Sequence, residues 1–381
     1  MFANACHFIL NQRVSFPNFT HDSRLLLIAP HPDDESLACS VILQRAVRAG
    51  TRVGVIYATD GEDNPWPQRF LYGKWRLNAD DRARWGKIRR LEAIAALREL
   101  GVSAGSVRFL GLPDQKLTKL LLRARQPTVD CLTREIEKWN PTDLLVPSIF
   151  DTHPDHNALA VLSHCVLNEL FEHGKGLSAW SYVVHGRRAA IFDQAVEIRA
   201  SKGDTLIKFN AIGCHKTQLS LSKKRFLAYG HRPERFWNMS RSGNIPLGGS
   251  IRGISREAGL LCVKFAFSSW GLAHPTLLIC GYDKLENPLS GIVQLPARSS
   301  TVELLNCGDM KCIGVGQYHG HRFQGTLRVP IDAFSAAKEL FVKLERHTWF
   351  FDEAGWVAVA SCYPKNLEQS DRSIERLVAI R

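Results

Sequence analysis

Residues 24–30 read RLLLIAP and residues 52–58 read RVGVIYA, two short runs that are apolar at nearly every position. A strand that is apolar throughout, rather than at alternate positions, needs cover on both faces, which is the mark of a parallel sheet. Between the two runs Ser36 to Ala49 (SLACSVILQRAVRA) has apolar residues at helical spacing and stops at Gly50, a residue suited to a left-handed helix end. Strand, helix, strand is a βαβ unit, and the unit repeats. The spacing predicts helices over 85–100, 129–139 and 158–171, with strands at 107–110 and 143–147 between and after them. The alternation predicts an α/β fold: a Rossmann-like open, mostly parallel sheet with helices on both faces, its ligand sites at the carboxyl ends of the strands.

The texture changes near residue 240. Residues 1–240 are expected to form the α/β domain. The stretch SRSGNIPLGGSIRGIS is rich in Gly and Ser, and 241–255 reads as a linker. From 256 to 381 short β-rich runs alternate with turn residues, which predicts a smaller, sandwich-like C-terminal domain. Its aromatics Trp270, Tyr282, Tyr318, Trp349 and Trp356 fit a core better than a sugar-stacking face. Its role has no signature in the sequence, and neither does the oligomeric state.

Apolar residues make up 45% of the 381 and charged residues 23%, which excludes a disordered chain. Lys and Arg number 49 against 37 Asp and Glu, a net charge of +12. That balance favours anionic partners: phosphates, nucleic acid or an acidic membrane surface. The 10 cysteines are scattered without a CxxC pair, so they read as small core residues in a reducing compartment. No basic segment followed by a long apolar one opens the chain, and no run approaches ~18 apolar residues. The expected location is the cytoplasm, with peripheral contact to a membrane left open.

The chemistry concentrates in two loops. His31-Pro32-Asp33-Asp34-Glu35 follows the first strand directly, and His153-Pro154-Asp155-His156 follows the strand at 143–147. Both therefore fall at one edge of the sheet. His31 and Asp34, three apart, converge if the loop turns into the helix, and Asp33 then points elsewhere. One histidine of the second loop completes a His/Asp/His set. Three such donors suit zinc and related divalent ions and leave a place for water, as catalytic rather than structural sites do.

With APHPDDE at 29–35, TDGE at 59–62, RRLEAIAALRELG at 89–101, FLGLPD at 109–114 and THPDH at 152–156, the chain resembles the LmbE-like (PIG-L) zinc-dependent N-acetylglucosamine deacetylases over residues 24–240. Pro30 stands where the family usually has Ala, outside the ligand set. The resemblance implies His31, Asp34 and His156 as ligands of Zn2+, with Fe2+ as another divalent ion for the same donors. It implies Asp33 as general base toward a zinc-activated water. It implies His153 as the group that stabilises the oxyanion and protonates the leaving amine, and Arg89 and Asp114 as contacts to sugar hydroxyls. The implied reaction removes the acetyl group of an N-acetylated amino sugar in a glycoconjugate, a lipid-linked or phosphate-bearing saccharide or a secondary metabolite. A zinc amidase acting on another N-acyl or thiol conjugate, and a glycan-binding protein with an inactive catalytic half, are the alternatives.

Plainer readings stand beside these. An isolated Asp33-Asp34 pair is more often a helix cap. Arg89 can pair with Glu92 on a solvated helix face, and Asp114 can be a turn residue. Asp151 and Asp155 suit partners that orient ligand histidines, and Asp60 suits either that role or a turn. His215-Lys216-Thr217-Gln218 also looks like a late segment of the family, flanking the substrate mouth. The basic run Lys223-Lys224-Arg225 with His231-Arg232 and Arg235-Phe236 is read first as a solvated face, then as a contact to a phosphate-bearing or lipid-linked sugar. Nucleic acid is disfavoured as its partner. With no GxGxxG or P-loop pattern, no nucleotide cofactor is expected.

Overall fold

The computed structural model describes residues 16–172, 176–186, 195–239, 247–257, 259–268, 274–334, 339–346 and 350–360. Cys6, Cys362, Trp270, Trp349 and the polar tail from 364 onward lie outside them. The chain divides into two units, Met1–Pro246 with Trp349–Trp356, and Leu247–Thr348 with Val357–Arg381.

In the first unit β1 (Arg24–Ala29) is buried at every position after the first, as the apolar run requires. Such burial stabilises by about 1.5–3 kcal/mol for each large side chain. The expected helix after it is broken at Cys39 into α1 (Asp34–Ala38) and α2 (Ser40–Arg48). The break has a distant cause. The Val41 and Ile42 backbone amides donate to the Glu234 carboxylate at 2.8 and 3.1 Å, and Glu234 is also paired with the fully buried Lys208 ammonium at 2.9 Å. Helix α2 thus starts afresh on an anion.

The chain continues through β2 (Arg52–Thr59), α3 (Pro65–Tyr72), α4 (Ala79–Glu99), β3 (Val107–Leu112), α5 (Leu117–Arg123), α6 (Arg125–Trp139), β4 (Asp143–Pro147) and α7 (Pro154–Glu172). Helix α4 begins six residues earlier than the apolar spacing predicts, because Asn78 and Asp81 form a reciprocal capping box. β5 (Ser178–Tyr182), β6 (Val196–Ile198), α8 (Lys202–Cys214), α9 (Lys216–Leu227) and β7 (Glu234–Asn238) complete the unit. The seven strands lie in the order β3-β2-β1-β4-β5-β7-β6. The first five are parallel and β7 runs antiparallel to both β5 and β6. Chain order reverses between β1 and β4, so the loops after these two strands emerge side by side, where open α/β sheets bind ligands.

The second unit is one continuous antiparallel sheet of nine strands, β8 (Ile251–Glu257), β9 (Leu260–Ala266), β10 (Thr276–Tyr282), β11 (Pro288–Gln294), β12 (Arg298–Asn306), β13 (Cys312–His321), β14 (Gln324–Pro330), β15 (Glu339–Glu345) and β16 (Val357–Ala360). Their order is β16-β15-β10-β11-β12-β13-β14-β9-β8. Side chains from all of these strands meet in one core that includes Phe265, Leu277, Val293, Leu304, Tyr318 and Val342. The hydrogen-bonded ladder is unbroken, and its two edge strands, β8 and β16, also meet. β8 occupies part of the stretch read as linker. β13 escapes the sequence pattern because of its glycines. At Gly316 a Cβ would sit 2.4 Å from the Arg328 carbonyl oxygen, so this strand needs glycine to lie against β14. Tyr318 and Trp356 are buried and Tyr282 is half-buried.

Candidate active site

β1 ends at Ala29 and the chain turns through residues 30–33 into α1. The His31 backbone N–H donates to Asp34 Oδ2 at 2.8 Å, which closes the turn and draws both side chains to one side. The loop after β4 runs alongside and enters α7 at Pro154, so His153 precedes the helix and His156 lies on its first turn. All four side chains are buried.

His31 Nδ1 and His156 Nε2 stand 3.1 Å apart; Asp34 Oδ2 is 3.6 Å from the first and Asp34 Oδ1 3.4 Å from the second. Donors bound tetrahedrally at about 2.0–2.2 Å from one ion lie about 3.3–3.6 Å from each other. The far nitrogens are occupied as ligand histidines require. His31 Nε2 faces Asp114 Oδ1 at 3.1 Å and Asp155 Oδ2 at 3.5 Å, and His156 Nδ1 faces Asp151 Oδ2 at 3.2 Å. Those carboxylates fix which nitrogen of each ring points at the shared centre. The residues fit a divalent cation. Among the described residues three groups bring one donor atom each within 4.8 Å of one another: His31, His153 and His156; Asp34, His156 and His185; and His31, Asp114 and Asp155. His153 Nδ1, however, accepts the Asp155 backbone N–H at 3.2 Å, and His185 Nδ1 faces the Tyr229 hydroxyl at 3.5 Å.

Charges follow from this packing. Burial opposes the charged form of His31, but hydrogen bonds to Asp114, Asp155 and Asp34 raise it well above the usual imidazole range. Burial likewise opposes charge on His156, and the Asp34 and Asp151 carboxylates lift it. Burial would raise the Asp151 carboxyl, yet the His156 charge and hydrogen bond hold it far below the ordinary range. His153 is depressed well below it, first by burial and then by the positive charges of His156, His31, His185 and Arg89. It is therefore a neutral ring whose Nδ1 accepts and whose Nε2 carries the proton.

Asp33 stands at the cap position of α1, but its carboxylate caps no helix amide. Arg89 donates from one terminal nitrogen to Asp33 Oδ2 at 2.9 Å and to the Pro32 carbonyl at 2.6 Å, and from the other to the Gly61 carbonyl at 2.9 Å. Asp33 has φ 151°, rare for a residue with a side chain and costing about 1–3 kcal/mol. The Glu35 carboxylate, accepting the Asp33 N–H at 3.0 Å, helps hold it there. Burial pushes the Asp33 carboxyl up to about 6 against the pull of Arg89. Arg89 and Asp114, expected at the sugar, are thus engaged with Asp33 and with His31; Glu92 takes Thr217 instead of Arg89. Gly61 makes room for this clamp. It has φ 63°, and a Cβ there would lie 1.6 Å from Arg89 Nη1. Gly61→Ala is expected to cost about 1–3 kcal/mol of stability, read by denaturant unfolding; an unchanged midpoint would refute the clamp.

Several residues at the site carry no motif. Glu35 Oε1 accepts from His215 Nε2 at 2.9 Å and from the Ser36 hydroxyl at 2.6 Å, bracing the first loop from the HKTQ segment. Phe350 and Phe351, from the short C-terminal piece of this unit, set their rings 5.0 and 5.6 Å from His153. Asp352 accepts from Asn157 Nδ2 at 2.8 Å and donates its own N–H to the Thr152 carbonyl at 2.8 Å, pinning the second loop. Only the resemblance of 215–218 hints at His215. Nothing local marks 350–352 or His185, since their neighbours at the site are far away in sequence.

Residues 26–165 match the family model described as GlcNAc-PI de-N-acetylase, PIG-L. The 1D-myo-inositol 2-acetamido-2-deoxy-alpha-D-glucopyranoside deacetylases of Mycobacterium tuberculosis (strain H37Rv) and Mycobacterium bovis (strain BCG Pasteur) are 33% identical to the chain over 146 residues. The match covers 35% of this chain and 47% of each relative. The chain thus spans about half the length of the curated relatives it matches. The N,N'-diacetylchitobiose deacetylase of Pyrococcus horikoshii superposes at TM-score 0.44 and 21% identity, covering 57% of this chain and 84% of that one. The strand-end histidine and aspartate loops both lie within the residues, 26–165, that match the PIG-L family model.

Proposed function

We propose that the chain is a metal-dependent hydrolase that removes the acetyl group from an N-acetylated amino sugar of the N-acetylglucosamine type, held in a glycoconjugate, a lipid-linked saccharide or a secondary metabolite. The observation that carries the reading is the convergence of His31 Nδ1, His156 Nε2 and Asp34, with a carboxylate behind each ring and Asp33 held by Arg89 on the same loop. The acetamido sugar named for the mycobacterial relatives supports the substrate class. His31, Asp34 and His156 would hold Zn2+ or Fe2+. Such an ion supplies Lewis acidity toward the amide oxygen and lowers the pKa of a water molecule toward ~7.

The protein's own groups do the rest. Asp33, kept basic by burial and kept in place by Arg89, takes the proton of the attacking water. Its oxygen bonds to the acetyl carbon. The neutral His153 donates Nε2–H to the oxyanion that develops, a contribution of about 3–4 kcal/mol for one well-placed donor. The C–N bond then breaks, acetic acid leaves and ionises to acetate, and the amine nitrogen takes the proton that Asp33 collected in place of the His153 proton first expected, since a neutral ring would have to become an imidazolate to give it. Metal analysis of the purified protein, with an acetate-release assay over free, nucleotide-linked, lipid-linked and polymeric N-acetylated sugars, tests the reading. Stoichiometric metal and chelator-sensitive acetate release are expected. Release of a different acyl or thiol product would make it an amidase, and glycan binding without turnover would make it a binding protein.

A further inference from the structure

Helix α3 presents an aromatic surface to solvent. Trp66, Phe70 and Leu71 are 60%, 63% and 50% exposed, and Trp75, just past the helix end, is 74% exposed. Trp66 and Phe70 are four apart and share a helix face. The Arg69 guanidinium lies between the two indoles, 5.1 Å from the Trp66 ring and 4.8 Å from that of Trp75. Isolated exposed apolar residues are ordinary, but four large ones on a single eight-residue helix and its edge mark an interaction site.

Charge limits the partner. Of the Lys and Arg in residues 64–90, Lys74, Arg82, Arg89 and Arg90 are paired with Asp81, Asp63, Asp33 and Asp60, while Arg76, Arg84 and Lys87 are exposed. Helix α9 packs against α3 and exposes Leu221, Lys223, Lys224 and Arg225, with no acidic residue from 215 to 233. A second copy of the chain would bring like charges together. A soluble polyanion would leave the indoles and Phe70 in water. Indole rings with apolar neighbours and a cationic border suit the headgroup boundary of an anionic bilayer, where aromatic rings enter the interface and Lys and Arg meet lipid phosphates. Among the described residues no helix is long and apolar enough to cross a membrane, so contact from this face would be interfacial.

We propose that α3, with Trp75 and the basic run of α9, docks this protein on an anionic phospholipid surface. Helix α3 is tied to the site. Gln68 Nε2 donates to the Glu62 carbonyl at 2.7 Å, Glu62 Oε1 accepts the Asp114 N–H at 2.9 Å, and Asp114 faces His31. Docking therefore brings the rim of the site to the headgroups.

Vesicle flotation of the full chain tests this, using phosphatidylcholine with and without phosphatidylglycerol. Binding is expected only with phosphatidylglycerol and is expected to fall with salt. Trp66→Ser, Phe70→Ser and Trp75→Ser should each weaken it about tenfold or more, and Lys223→Gln and Lys224→Gln about fivefold each, with thermal midpoints unchanged. Lipids brominated on their chains should quench the wild-type fluorescence and spare Trp66→Ser/Trp75→Ser. No vesicle binding, or binding that the variants leave intact, would overturn the proposal. So would a dimer in lipid-free solution that the serine variants dissolve. The readout contains no deacetylation, so its failure is separate from a failure of the proposed reaction.

Discussion

Asp33→Ala is expected to leave bound metal unchanged and to lower turnover by about 100- to 10,000-fold, the range for loss of a positioned general base. The reason is spatial. Asp33 and Asp34 are adjacent in sequence, yet the turn sends them apart: Asp34 lies 3.6 and 3.4 Å from His31 and His156, the proposed ligands, while Asp33 meets Arg89 at 2.9 Å. Removing the Asp33 carboxylate deletes proton transfer without deleting a ligand. Because Asp33 holds φ 151°, Asp33→Asn is the cleaner companion: it keeps an acceptor for Arg89 and tolerates positive φ better than most residues, while it cannot take a proton. Both variants should show full metal content by elemental analysis. Loss of metal in either would mean that the two aspartates have exchanged roles.

His156→Ala should remove metal and activity together, with affinity reduced by more than about 100-fold. Loss of the fully buried ring would take the imidazole partner from both Asp34 and Asp151, so some of the loss would appear as unfolding. Asp151→Asn separates the two effects. Its side-chain oxygen can keep the amide hydrogen bonds from Val184 and His185, while the one from His153 to the other oxygen is lost and the hold on His156 Nδ1 weakens. Metal affinity should drop about 10- to 100-fold in a protein that still folds. Full zinc content in His156→Ala would shift the third ligand to His153 or His185.

The elements readable from sequence are those whose cause is local. The β1 and β4 runs are apolar at every position after the first, so their burial follows from composition alone, and the loops after them inherit their places from strand order. The break at Cys39 is not readable, because it depends on Glu234, almost two hundred residues on, capping α2. β13 hides behind glycines whose purpose is the nearness of β14. Arg89 and Asp114 illustrate the limit within the site. A motif marks them, but whether a guanidinium reaches a sugar or a neighbouring carboxylate depends on whether Gly61 leaves the path open. Phe350, Phe351 and Asp352 lie beyond any local rule, since their partners are His153, Asn157 and Thr152.

Trp349–Trp356 belongs with the first unit although about a hundred residues of the second separate it from Pro246. On the ribosome, the first unit therefore waits for its last wall until the β-rich unit has been almost wholly synthesised, a delay of roughly 5–20 s at ordinary elongation rates. A truncation at residue 246 would yield a nascent-like form that never receives that wall.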